Sequence, residues 1–315
     1  MILDGVDWVV RRSHHVQIDQ DRLGLVSDDL DPYRLRLPDW QVPVVPPWLD
    51  ERLVDLFFLF NSINFCYWGE PKWTISFEGQ PYDGAFGMMA ALTRALDEGY
   101  PLLDGAFLAR IREDEFRHIL RGNVPIPLEV ERYAILQEAG KVLVREFGGR
   151  WHQVVRQARG SAVRLVELLV TRFPSWDDVT QFEGRRVAFY KRAQLAAGMV
   201  YQAFGGQGWG AYEDFGQLTV YADYKLPQVL RKLGILVYDE PLSALVDSQT
   251  PVAAGSRMEI EIRAATVWAG ERIRQALLGR VPGITAAHID FWLWETGQRK
   301  SPDDRPYHRT LTTAY

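Results

Sequence analysis

Two carboxylates in this chain sit in surroundings that could do chemistry. In the stretch 219–236, TVYADYKLPQVLRKLGIL, Asp223 lies between Tyr221 and Tyr224, with Lys225 directly after it. In 280–295, RVPGITAAHIDFWLWE, Asp290 stands among Ile289, Phe291 and Trp292. A carboxylate beside aromatic faces and cations can accept hydrogen bonds from a polar ring, or stabilise positive charge at a reacting carbon. Each also has a plainer role. Asp223 could cap the short amphipathic helix that follows, and Asp290 could be a surface residue whose apolar neighbours face inward. At helical spacing Asp290 shares a face with Trp294, and Phe291 with Glu295. If buried, Asp290 would be open to a raised pKa.

The third group is cationic. In 182–198, FEGRRVAFYKRAQLAAG, Arg185, Arg186, Lys191 and Arg192 surround Phe189 and Tyr190. Read as a helix, this puts Val187, Tyr190 and Lys191 on one face, and its start would suit an anion. A solvated basic face explains the charge spacing somewhat better. Other chemistries find no support. The six histidines are scattered, with no HExxH and no Cys/His cluster, so neither a structural zinc nor an HExxH-type hydrolase is expected. No GxSxG occurs, and the glycine-rich 205–216 lacks the GK[ST] of a phosphate-binding loop. The one cysteine, Cys66 in NFCYW, suits a small buried hydrophobe and excludes an internal disulfide framework. A net charge of −5 argues against a dedicated nucleic-acid surface. With no secretory pattern at the start and no long apolar run, a cytoplasmic protein without membrane contact is expected.

The elements that must position these groups read as one mainly α domain spanning 1–315 with a small antiparallel β insert. Residues 1–47 read as an irregular strap. Asp4 could start a short helix and Asp19 another, and prolines 32, 38, 43, 46 and 47 then forbid regular structure. The apolar residues of the strap imply that it lies across the body, as core cover or as a pocket wall. A buried helix follows Pro47, and 72–82 alternates around Glu78-Gly79 as a β-hairpin. From Gly84 onward the pattern is helical: near 104–121, 128–147, 151–158, 161–173, 187–204, 240–247, 257–278 and 284–296. Glu259, Glu261 and Arg263 suit structural use in the first turns of the helix at 257. The Pro282-Gly283 turn resembles the helix–hairpin–helix element of base-excision glycosylases, although Thr285 stands where the second hairpin glycine would be.

Several longer motifs carry a more specific resemblance. NFCYW at 64–68, ALDEG at 95–99, LQEAGKVLVREFGG at 136–149, FEGRRVAFYKRAQ at 182–194, YADYKLPQVLRKLGIL at 221–236, EIEIRAATVWAGE at 259–271, IDFWLWE at 289–295 and the tail PYHRTLTTAY are collinear with the queuosine salvage family. The match runs from about residue 50 to the end, and the first 50 residues match poorly. This resemblance implies a fold akin to helical DNA glycosylases, with no metal or cofactor. It also implies hydrolysis of queuosine 5'-monophosphate to release the 7-deazaguanine base queuine. The partner is then a small nucleotide, with no stable nucleic-acid complex. Splitting the C1'–N bond passes through an oxocarbenium-like sugar, and a 7-deaza base lacks the N7 that usually takes the proton. Two carboxylates with separate tasks are needed. On this resemblance Asp290 is expected at the sugar and Asp223 at the base edge, an assignment the sequence leaves open to exchange, with Tyr221, Phe291 or Phe65 stacking on the ring. Glu295 is expected at the cyclopentenediol arm or the ribose, and Lys191 and Arg192, with Lys225 or His308 and Arg309, at the phosphate. The competing functions are a non-catalytic binder of modified nucleosides or tRNA, and a base-excision DNA glycosylase.

Overall fold

Hydrophobic stripes at helical spacing build most of this chain, and the computed structural model describes residues 2–302 and 304–315. Fourteen α-helices are present among the described residues: α1 (Ile2–Val10), α2 (Gln20–Asp29), α3 (Glu51–Ser62), α4 (Gly84–Asp97), α5 (Gly105–Leu108), α6 (Glu113–Ile119), α7 (Glu129–Glu146), α8 (Trp151–Ala158), α9 (Ala162–Arg172), α10 (Lys191–Ala203), α11 (Lys225–Lys232), α12 (Glu240–Asp247), α13 (Arg257–Leu277) and α14 (Ala286–Gln298). Three two-stranded antiparallel sheets accompany them. They pair β1 (Val16–Ile18) with β6 (Leu236–Tyr238), β2 (Thr74–Phe77) with β3 (Gln80–Asp83), and β4 (Val179–Phe182) with β5 (Arg185–Ala188). The protein is mainly α with small β pieces, as expected.

Two departures from expectation bear on the site. The first 47 residues hold the two short helices expected at Asp4 and Asp19, and between them an unexpected strand. The apolar stripe of α1 packs on α13, α2 is capped by Asp19, whose carboxylate accepts the Arg22 N–H at 2.8 Å, and β1 pairs with the distant β6. Buried Glu261 of α13 holds the intervening loop by accepting from Ser13 and from the His14 and His15 N–H groups. Only the proline-rich part, beyond the single turn Pro32–Arg34, is a strap. The second departure is at 182–190, which is a hairpin and not the start of a helix. Glu183 and Gly184 both have positive φ, 47° and 76°, which suits a tight two-residue turn. Tyr190 at φ 51° then breaks the strand, so α10 begins at Lys191.

Apolar burial forms two cores. One joins α3, α4 and α7–α10, and the other joins α1, α2 and α11–α14. α13, the longest helix, is buried along much of its length and carries Arg263 on its inner face. The Arg263 guanidinium grips the Asp178 carboxylate at 2.8 and 2.6 Å, and that carboxylate also accepts the Lys191 N–H at 3.1 Å. One buried ion pair therefore ties α13, the β4–β5 hairpin and the first residue of α10 together. Breaking such a pair from one side leaves a buried charge uncompensated, at a cost of about 3–5 kcal/mol.

Candidate functional site

A cavity of about 650 Å³ lies where the two cores meet. Its walls come from the strap, the segment after α3, the start of α4, one face of α10, the 221–226 segment, α14 and the C-terminal tail. The proline-rich strap thus walls a pocket as well as covering core. Thr93 anchors it by donating to the Val44 carbonyl at 2.7 Å, and Trp40 donates its indole N–H to Gln202 at 2.8 Å.

Both carboxylates line this cavity. Asp223 is a helix cap and a cavity residue at once. Its Oδ1 accepts the N–H groups of Lys225 at 2.7 Å and Leu226 at 3.0 Å, while Oδ2 is left over. Pro227, third in α11, lacks an N–H that would have no partner in the first turn anyway. Asp290 projects from the second turn of α14 and is 9% exposed; it accepts the Tyr221 N–H through Oδ1 at 2.7 Å. Burial, reinforced by the neighbouring charge of Asp223, pushes its carboxyl well above the ordinary carboxylate range, against the pull of the Tyr221 N–H and of Lys191.

Lys191 is the third member. It is 6% exposed, faces the cavity, and makes no hydrogen bond or ion pair through its amine among the described residues. Desolvation lowers its pKa, and the charges of Asp223 and Asp290 act in the opposite sense. A cation in the field of both carboxylates is well placed to hold them at one site.

Of the residues expected to stack, Phe65, Phe291 and Tyr221 all line the cavity. Phe65 is fixed between guanidiniums, with Arg132 4.2 Å and Arg192 5.3 Å from the ring centre. Phe291 stacks on Trp294, which meets Phe86 edge-on. The Tyr221 hydroxyl is buried against Gly198 and has no hydrogen-bond partner among the described residues.

The cations divide. Lys225 lines the cavity, its amine 5.0 Å from the ring centre of Tyr307, and Lys72 and Lys300 line it nearby. Desolvation lowers the Lys225 pKa, and the charges of those two lysines lower it further. The other expected phosphate ligands lie outside the lining. Arg192 points into the protein, donating to the carbonyls of Asn61, Ser62 and Ser175. His308 is buried beside Tyr315, and burial lowers its pKa to about 3, so it carries no charge to offer an anion. Arg309 is engaged with Glu70 and Gln249. Glu295, also outside the lining, forms a 2.7 Å ion pair with Arg36. The exposed Pro282-Gly283 turn does not line the cavity either; the α13–α14 pair contributes to the site through Asp290.

Lys72, Lys300 and Tyr307 carry no sequence signal that would single them out. Gln202 does have one. With α10 starting at Lys191, residues 191, 195, 199 and 202 form a single stripe, and all four line the cavity.

Fold and site together define a mainly α protein with an aromatic-walled, nucleotide-sized cavity lined by four aspartates, Asp39, Asp83, Asp223 and Asp290, with a buried lysine and further cations, of which Lys72 pairs with Asp83 at 3.0 Å. The model of the family described as queuosine salvage protein matches residues 45–315, and the chain belongs to that family. It is similar to proteins named queuosine 5'-phosphate N-glycosylase/hydrolase. That of Sphaerobacter thermophilus is 41% identical, covering 100% of this chain and 97% of the relative. That of Bos taurus is 38% identical over 89% and 87%, and that of Mus musculus 35% over 99% and 98%. Among the described residues no helix is long and apolar enough to cross a membrane, and no group of acidic, His and Cys side chains could hold a metal ion.

Proposed function

We propose that this protein hydrolyses the N-glycosidic bond of queuosine 5'-monophosphate, releasing queuine and ribose 5-phosphate. The observation that carries this is the pair of cavity carboxylates in unlike surroundings, one buried with its pKa driven up, the other partly open and held by backbone N–H groups. Carboxyl groups kept apart in this way are suited to separate acid and anion tasks.

That contrast favours exchanging the two roles expected from the sequence. Asp223, as the carboxylate, stabilises the positive charge that develops at C1' as the bond to the base breaks. Asp290, protonated, gives its proton to the departing base, whose ring lacks the usual N7 acceptor. Water then bonds to C1', and the proton it releases returns to Asp290. Lys191 steadies both carboxylates through the cycle. Phe65 and Phe291 provide faces for the ring, and Lys72, Lys225 and Lys300 form the phosphate end. Lys191, whose amine has no partner among the described residues and which lies in the field of Asp223 and Asp290, fits this central place.

The test is to incubate purified protein with queuosine 5'-monophosphate and follow free queuine by chromatography and mass spectrometry. Stoichiometric binding without release of base would replace this proposal with a binder of modified nucleotides.

A further inference from the structure

Eleven residues separate Lys191 from Gln202, which places them about 16 Å apart along the axis of α10. Lys191 marks the end of the cavity where both carboxylates act. Gln202 closes the same cavity-lining stripe about three turns further on. The positions of that stripe between them, Leu195 and Met199, are apolar, and Phe60, Val44 and Val45 also line the cavity.

Within those walls Gln202 is 8% exposed, and its orientation is determined. The indole of Trp40 can only donate, so the atom it meets at 2.8 Å is Oε1, and Nε2 is the free end. Among the described residues that amide nitrogen has no acceptor, although it belongs to a cavity-lining side chain. A donor in a cavity wall with no protein acceptor is free to meet a ligand atom or water. Trp40, which aims it, has φ 60°, a conformation uncommon for a bulky residue and found where a side chain must be aimed.

We infer that Gln202 is the specificity residue for the cyclopentenediol arm of the substrate, its Nε2 donating to a hydroxyl oxygen of the diol. The inference rests on the hydrolase function proposed above. An amide donor suits a hydroxyl oxygen as its acceptor, and the apolar side chains lining the cavity suit the cyclopentene ring. Glu295, expected at this arm from sequence, is held by Arg36 outside the cavity lining.

The experiment compares kcat/KM for queuosine 5'-monophosphate with that for the matching nucleotide whose base carries only the 7-aminomethyl group. Full-length protein is used, as wild type, Gln202→Met and Gln202→Leu, two apolar side chains that can neither donate to the diol nor accept from it. Both variants should lose about tenfold on the diol substrate while staying within about twofold of wild type on the truncated one. Damage to the fold would lower both rates together and leave their ratio unchanged. An unchanged ratio in both variants overturns the inference while leaving the hydrolase function standing. If wild type releases base from neither nucleotide, the hydrolase function fails and this inference falls with it.

Discussion

Replacing Asp223 by Asn tests the division of labour between the two carboxylates with little risk to the fold. An asparagine Oδ1 can accept the Lys225 and Leu226 N–H groups as the aspartate does, so the start of α11 keeps its cap. What disappears is one negative charge facing the cavity. A carboxylate about 3.5 Å from C1' in a reactive pose, at an effective dielectric of about 20, stabilises a developing unit charge by roughly 5 kcal/mol. The transition state carries only part of that charge, so the expected loss is about 10³-fold in kcat, with substrate affinity changed far less. Asp290→Asn also keeps its acceptor for the Tyr221 N–H, but it cannot pass on a proton. Because the Asp290 pKa is raised, an acid at this position works below that pKa, and the wild-type rate should fall as pH rises through it. Asp290→Asn should be slow and should lack that alkaline limb. Single-turnover release of queuine across pH, with binding measured by calorimetry, provides the assay. If Asp223→Asn keeps more than about a tenth of kcat, or Asp290→Asn keeps the alkaline limb, the assignment is wrong.

Three further outcomes follow from the same geometry. Lys225→Ala should raise KM for the 5'-phosphate about tenfold and leave the unphosphorylated nucleoside nearly unaffected, because only the former needs the cations at Lys72, Lys225 and Lys300. Equal effects on both ligands would move the phosphate elsewhere. Gly198→Ala should destabilise by about 1–3 kcal/mol, since its Cβ would overlap the Tyr221 hydroxyl and lie 2.9 Å from Cζ; adding Tyr221→Phe should restore part of the melting temperature. His308 is depressed to about 3 in the fold, so between its unfolded value near 6.5 and that figure the unfolded chain binds the extra proton. Stability should therefore fall as pH drops below about 6.5, by at most about 1.4 kcal/mol per unit from this group, and His308→Gln should flatten that slope in thermal melts.

The helices were legible in the sequence where apolar spacing and end signals agreed. α8 matches its expected bounds, and α12, α13 and α14 fall close to theirs. The misplaced start of α10 has a specific cause. Charge spacing in FEGRRVAFYKR suggested a helix, yet Phe182-Glu183-Gly184 repeats Phe77-Glu78-Gly79, the tripeptide at the turn of the other hairpin. Turn chemistry prevailed over helical spacing, because Glu183 and Gly184 both take positive φ and pair Phe182 with Arg185. The pairing of β1 with β6 depends on contacts more than 200 residues apart, which no local pattern contains.

The site divides along the same line. Both aspartates, Lys191, Phe65, Phe291, Tyr221 and Lys225 were visible because unusual side chains cluster locally, and all line the cavity. Arg192 adjoins Lys191 in sequence, and His308 and Arg309 stand in the C-terminal tail, but which way a cation points depends on acceptors supplied from elsewhere in the fold. The carbonyls of Asn61 and Ser62 turn Arg192 inward, and Arg263 near His308 adds to the burial that keeps it neutral. Composition left Asp223 open between helix cap and ligand site, and its two oxygens remove the need to choose. Oδ1 takes two N–H groups of α11, which fixes the plane and direction of the carboxylate, and Oδ2 remains for the cavity. A carboxylate held this way needs no rearrangement to meet a forming cation, which is the condition for electrostatic stabilisation to act on the transition state and not only on binding. Asp290, held by a single N–H and deeper in apolar surroundings, has its carboxyl pushed well above the ordinary range, which is what the proposed acid role requires.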